Sequence, residues 1–199
     1  MEITTLALFV LAFGSILILP GPNSGFAVGQ SLKYGVASSI YVPLGFMTAT
    51  GVHAILVLSG IGIVVQEYSV VLIVLKWSGI IYLLWLGYKA FISKPSKFEV
   101  TSKEIPKRKM YFSAVFVSLT NPKALIASLM VYPLFVTQEY TYLTQAIILS
   151  LTAMAISFVV YGSYSLAASS LKDHMSGSKL ANKIVGSMYV GAAGALATK

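Results

Sequence analysis

Hydrophobic residues run along this chain in long blocks that contain almost no charge. Two of the blocks, 3–32 and 140–171, contain no charged residue. A helix needs about 20 consecutive apolar residues to cross roughly 30 Å of hydrocarbon. The fold class we expect is therefore an all-α, polytopic membrane protein. The pattern predicts six transmembrane helices, at 4–28, 38–65, 69–92, 111–136, 143–169 and 181–198.

Two of the predicted helices are interrupted by helix-breaking motifs, Pro-Gly-Pro-Asn at 20–23 and Asn-Pro-Lys at 121–123. Asparagine is a favoured N-cap and proline is tolerated at the first helical position, so each motif can start a new half-helix inside the membrane. Such a start presents free N–H groups and the positive end of a helix dipole, which suit a carboxylate. A simple proline kink, repaired by neighbouring groups, is the alternative for either break. The predicted substrate-binding residues here are Gly21, Pro22, Asn23, Asn121, Pro122 and Lys123.

The longest polar stretch, 93–110, has charges of both signs and two prolines, Pro95 and Pro106. We interpret it as a cytoplasmic linker between a first half at 1–92 and a second half at 111–199. Each half contains three predicted helices. Because that number is odd, the second half enters the membrane upside down relative to the first, which predicts two inverted three-helix repeats with broken helices 1 and 4.

The basic residues indicate the orientation. One lies in the connection between helices 1 and 2, six between helices 3 and 4, and three between helices 5 and 6. Since Lys and Arg favour the cytoplasmic side, these connections are predicted inside and both termini outside. The net charge of +8 is thereby explained by insertion and anionic lipid headgroups, so we expect the lipid bilayer as a partner and no nucleic acid.

Three ionisable residues lie well away from the ends of the predicted spans, where a charge is costly and suggests function. Lys123 is too far from either end of its span for its side chain to reach the interface, so it must face a cavity or a partner. Lys76 is a further candidate for substrate binding, although it could instead extend to the outer interface. His53 is either a core histidine bound to a backbone carbonyl or a proton carrier near neutral pH.

The composition also excludes several chemistries. The chain has no cysteine and only two histidines, so a thiolate metal site, a disulfide and thiol redox chemistry are all excluded. No phosphate-binding Walker motif is present, which excludes ATP as the direct energy source. We expect neither a metal nor a cofactor nor enzymatic activity. Export of an inorganic cation and a non-transporting membrane subunit remain the alternatives to transport of a molecule that carries a carboxylate.

Several short motifs occur in an order that resembles the lysine-exporter superfamily of amino-acid exporters, and specifically its homoserine/threonine-exporter branch. The resemblance covers nearly the whole chain. It implies a six-helix exporter of the prokaryotic cytoplasmic membrane, driven by an ion gradient or the membrane potential, and it is compatible with a homodimer. The motifs are 20–23, His53, 75–79 (Leu-Lys-Trp-Ser-Gly), Tyr82-Leu83, Leu86-Gly87 and 116–123 (Phe-Val-Ser-Leu-Thr-Asn-Pro-Lys).

Two departures from the family pattern bear on the substrate. Relatives that export basic amino acids often have an acid after Pro-Gly-Pro, whereas Asn23 is neutral. No predicted span contains a carboxylate, so a basic substrate side chain would lack a counter-ion. We therefore expect a neutral zwitterionic substrate, similar to homoserine, threonine or leucine. Ser118 stands where many relatives have asparagine.

Overall fold

The computed structural model describes residues 1–35, 38–60 and 107–175, together with single helical positions within 73–92 and 183–197. Within these residues the secondary structure is helical and contains no strand, which confirms the all-α prediction. The helices are α1 (Ile3–Ile18), α2 (Pro22–Tyr34), α3 (Ser38–Leu58), α4 (Lys107–Leu119), α5 (Pro122–Val131) and α6 (Tyr142–Met175), with a 3-10 helix (Tyr132–Phe135) directly after α5.

Both predicted helix breaks are present. The axes of α1 and α2 differ by 63°, and those of α4 and the α5 segment differ by 61°. Among the described residues, α3 and α6 are each long and apolar enough to cross a membrane, and counting each bent pair as one span gives four. The predicted spans 69–92 and 181–198 fall largely outside the described residues, and so does Lys76.

The end of the second predicted span was wrong. We expected it to continue to residue 65, but α3 ends at Leu58. Ser59 and Gly60 follow in a turn in which Gly60 has a φ of 83°, a conformation that glycine adopts readily and that a helix cannot continue through. Because residues on both sides of Gly60 are apolar, hydrophobicity alone does not indicate where α3 ends.

Helix α3 lies at the centre of the bundle, packed along both α4 and α6. Its approach to α4 requires a glycine, since a Cβ on Gly45 would lie 2.5 Å from the backbone oxygen of Tyr111. Nearby, the hydroxyls of Thr48 and Tyr111 are 2.8 Å apart. On its other side, Thr50 donates a hydrogen bond to Ser157 of α6 at 3.0 Å. These contacts hold α3 beside both helix breaks.

Candidate functional site

The two helix breaks meet in the interior of the protein. Asn121 Nδ2 donates to Asn23 Oδ1 at 2.9 Å, across 98 positions of the chain. Asn23 Nδ2 in turn donates to Ser118 Oγ at 3.1 Å. All three side chains are buried, so each amide group has a polar partner where water cannot supply one. The breaks predicted from separate motifs therefore form one connected polar cluster.

Each break starts a new helix, as the motifs predicted. At α5, Asn121 is the N-cap and its Oδ1 accepts a hydrogen bond from the Lys123 backbone N–H at 3.1 Å, while Pro122 occupies the first turn. At α2 the N-cap is Gly21, which has no side chain. There the Ser24 hydroxyl accepts from the Gly21 N–H at 2.8 Å, a role that the sequence analysis missed. Both starts present backbone N–H groups inside the bundle.

Lys123 spans from one break to the other. Its Nζ donates to the backbone carbonyl of Leu19 at 2.9 Å, and a Cβ on Gly21 would lie 3.4 Å from the same Nζ. Leu19 directly follows the last residue of α1, where backbone carbonyls lack helical partners. The ammonium therefore lies at the carbonyl end of one half-helix while its own backbone belongs to the start of another.

His53 projects from α3 towards the second break. Its side chain is buried and hydrogen-bonded to the backbone carbonyl of Leu119, the last residue of α4. This contact is the first of the two arrangements considered for His53, a core histidine bound to a backbone carbonyl. His53 lines the same small cavity as Asn23 and Asn121, which we call the central cavity. It therefore lies beside the polar cluster as well as supporting the break.

A small cavity lies between these groups. Its volume is about 20 Å³, which is room for roughly one water molecule and much less than an amino acid occupies. The described conformation therefore has no room for an amino acid at the site, and we call it the closed conformation. The cavity is lined by Phe13, Ile16, Leu17, Asn23, Thr50, His53, Ser118, Asn121, Lys123, Ala124, Ala127, Ser128 and Tyr161.

Three polar residues of this lining, Thr50, Ser128 and Tyr161, were missed by the sequence analysis. Tyr161 of α6 is in hydrogen-bonding contact with the Asn23 side chain. The sequence does contain a signal for such residues. Thr50 and His53 lie about one helical turn apart on one face of α3, and Ser157 and Tyr161 lie about one turn apart on one face of α6. Polar side chains that recur at helical spacing in an apolar helix mark the face that points inward.

The arrangement can bind a molecule that carries both charges. Helix starts and Lys123 offer positive potential, and the amide oxygens and the Leu19 carbonyl offer negative potential. In the part of the chain that the structure describes, no three His, Cys, Asp or Glu side chains come together as metal ligands.

Residues 14–199 match the model of the LysE type translocator family. The chain belongs to the LysE type translocator family. This membership confirms the resemblance seen in the sequence, and a family of translocators agrees with the expectation of a transporter rather than an enzyme.

Curated relatives of this LysE type translocator cover nearly its full length. An uncharacterized membrane protein of Vibrio cholerae is 27% identical over 100% of this chain and 98% of its own. The homoserine/homoserine lactone efflux protein of Salmonella typhimurium is 28% identical over 92% of this chain and 91% of its own. The leucine efflux protein of Klebsiella pneumoniae is 28% identical over 92% of this chain and 90% of its own. No solved structure matches the chain.

Proposed function

We propose that this LysE type translocator exports a neutral α-amino acid, or a close derivative, across the cytoplasmic membrane and is driven by an ion gradient. The observation that carries the proposal is the convergence of two half-helix starts, two asparagine side chains and Lys123 on one buried cavity. Relatives named as homoserine/homoserine lactone and leucine efflux proteins support this substrate class.

The substrate carboxylate binds at the half-helix starts together with Lys123, and the substrate ammonium binds backbone carbonyls and the amide oxygen of Asn23 or Asn121. The hydrogen bond from Lys123 to Leu19 suggests how the exchange occurs. When the carboxylate attracts the lysine ammonium, the Leu19 carbonyl is released and accepts the substrate ammonium instead. Both charges of the zwitterion thus gain partners, and the Lys123 ammonium keeps one.

The lining of the cavity supports a neutral side chain. Among the described residues it contains no Asp or Glu, and Phe13, Leu17 and Ala124 give it an apolar wall. A lysine-like side chain would bring a second cation without a counter-ion, at a cost of several kcal/mol. An apolar or hydroxylated side chain has no such cost.

For the whole chain we propose six spans arranged as two inverted repeats, 1–92 and 111–199, joined by the cytoplasmic linker 93–110, with both termini outside. The similar bends of the two broken helices, 63° and 61°, support the repeat. Alternate opening of the closed site towards the two sides then moves the substrate, and a proton relayed through His53 is the proposed coupling step.

The test is efflux of preloaded, labelled neutral amino acids from proteoliposomes, with and without an imposed proton gradient. We expect the Lys123→Ala variant to lose at least about tenfold in specific efflux, since one lost charge-assisted hydrogen bond corresponds to about 1.5–3 kcal/mol. The matched control is Lys109→Ala, because Lys109 is exposed at the start of α4. It should transport normally.

Equal efflux by the Lys123→Ala variant and the unaltered protein would show that Lys123 does not bind the substrate. If the folded, unaltered protein moves no amino acid, the proposed substrate class is wrong. Divalent-cation flux should then be measured in the same vesicles.

A further inference from the structure

Two clusters of aromatic side chains lie on opposite sides of the cavity. The first consists of Phe9, Phe13 and Tyr132, whose ring centroids are 5.4 to 5.7 Å apart. All three side chains are almost completely buried. In the proposed orientation this cluster lies on the outer side of the site, because the N-terminus of α1 and the end of α5 point outward. We call it the outer aromatic layer.

The second cluster consists of Phe26, Phe46 and Tyr161, with centroid distances of 6.1 Å between the two phenylalanines and 4.7 Å between Phe46 and Tyr161. These side chains are also buried. Phe26 follows Asn23 by about one turn of α2, and Phe46 precedes Thr50 by one turn of α3. This inner aromatic layer therefore lies on the side of the site that is proposed to face the cytoplasm.

The outer aromatic layer is only about one helical turn thick. Ser128 lines the central cavity and Tyr132 follows four residues later, while His53 lines the cavity and Val57 follows four residues later. Four residues of helix correspond to about 6 Å. Beyond this turn lies an open cavity of about 600 Å³, lined by Val57 and Pro133 among others. One layer of side chains therefore separates the site from a wide outer opening.

The two layers differ in how their tyrosine hydroxyls are satisfied. The Tyr161 hydroxyl is in hydrogen-bonding contact with Asn23. The Tyr132 hydroxyl is buried and has no hydrogen-bond partner within the described part of the chain. A buried hydroxyl without a partner destabilises the conformation that buries it. The closed conformation is thus stabilised at the inner layer and destabilised at the outer one.

We propose that the outer aromatic layer is the outer gate of the transport route, and that the Tyr132 hydroxyl gains a partner, water or the passing substrate, only when this gate opens. The inner aromatic layer is the opposite gate, held closed by the contact between Tyr161 and Asn23. The closed conformation therefore opens more readily to the outside than to the cytoplasm. This inference rests on the proposed orientation and transport function, but its test requires no substrate.

The chain has no cysteine, so a single introduced thiol reports on access to the site. Ala127 lines the central cavity, and Ala127→Cys is labelled with a membrane-impermeant maleimide added outside right-side-out vesicles. Adding Tyr132→Phe should lower the labelling rate about tenfold, because the closed conformation no longer buries an unpaired hydroxyl. Adding Tyr161→Phe should instead raise labelling from the cytoplasmic side, measured in inside-out vesicles. Gln138→Cys, in the outer cavity, should react equally in every background.

An unchanged rate for Ala127→Cys with Tyr132→Phe would overturn the gate proposal, even if thermal stability rises. Removing a hydroxyl whose effect is purely structural would raise stability without changing access. The amino-acid proposal is tested separately. Efflux with no effect of Tyr132→Phe on labelling contradicts the gate alone, whereas the expected labelling without amino-acid efflux contradicts the substrate class alone.

Discussion

Lys123 donates a hydrogen bond from Nζ to the backbone carbonyl of Leu19 at 2.9 Å, so a residue of the second helix break caps the first. The neighbouring carbonyl of Ile18 accepts from the Tyr164 hydroxyl at 2.6 Å. His53 supplies the corresponding contact at Leu119, beside the second break. Broken helices are tolerated at membrane depth only when the freed backbone groups find partners. Here residues of other helices supply these hydrogen-bond partners, so the two breaks are physically connected.

The Asn121 side chain has two functions that substitutions can separate. Asn121→Ala removes the N-cap of α5, at a cost of about 0.5–2 kcal/mol, and leaves Asn23 Oδ1 without its donor, at about 1–3 kcal/mol more. Asn121→Ser keeps a capping hydroxyl but is too short to reach Asn23. We expect melting temperatures in detergent to fall in the order unaltered protein, Ser variant, Ala variant. Equal values for the two variants would show that the cap contributes nothing.

His53 is predicted to combine support of the second break with proton coupling. His53→Gln retains an N–H donor for the Leu119 carbonyl but cannot carry a proton, whereas His53→Ala lacks both properties. The Gln variant should keep its melting temperature and lose the stimulation of efflux by an imposed proton gradient. The Ala variant should melt at a lower temperature and should also lose the stimulation of efflux. Full proton dependence in a folded His53→Gln variant would restrict His53 to its structural contact.

The packing of α3 on α4 should be intolerant of a methyl group at Gly45. A Cβ there lies 2.5 Å from the Tyr111 backbone oxygen and 2.7 Å from the Ala114 Cβ. Gly45→Ala should therefore force the helices apart and lower the free energy of unfolding by about 1–3 kcal/mol. Gly51→Ala is the matched control, since its nearest neighbour is the flexible Met154 side chain at 3.0 Å. Thermal unfolding should show a large loss for the first variant and little change for the second. Similar losses for both would contradict the close approach seen at Gly45.

The turn before α6 is held by one buried side chain. Gln145 Nε2 donates to the carbonyls of Thr137 and Tyr140 at 2.8 and 2.9 Å, and its Oε1 accepts from the Thr137 N–H at 3.0 Å. Gln145→Ala should therefore loosen the turn and increase its cleavage by a protease added outside the vesicles severalfold. Gln138→Ala, at an exposed position of the same turn, should not. Cleavage only from the cytoplasmic side would reverse the proposed orientation.

The sequence allowed the local features to be predicted and left the long-range ones open. The helix starts at Pro22 and Pro122 follow from capping rules that act within a few residues. The bonds from Asn121 to Asn23 and from Lys123 to Leu19 join positions about a hundred residues apart and depend on how the helices pack. The same reason explains why Tyr161 was missed, while Lys76 lies outside the described residues and its role stays a prediction.

The hydrogen bond between Lys123 and Leu19 gives the unloaded protein an internal ligand. An entering solute has to displace that ammonium. Its apparent affinity is therefore the intrinsic affinity multiplied by the small fraction of molecules in which the ammonium is already displaced. For the proposed exporter we therefore expect a weak apparent affinity, so that the rate of efflux rises with the substrate concentration in the cytoplasm.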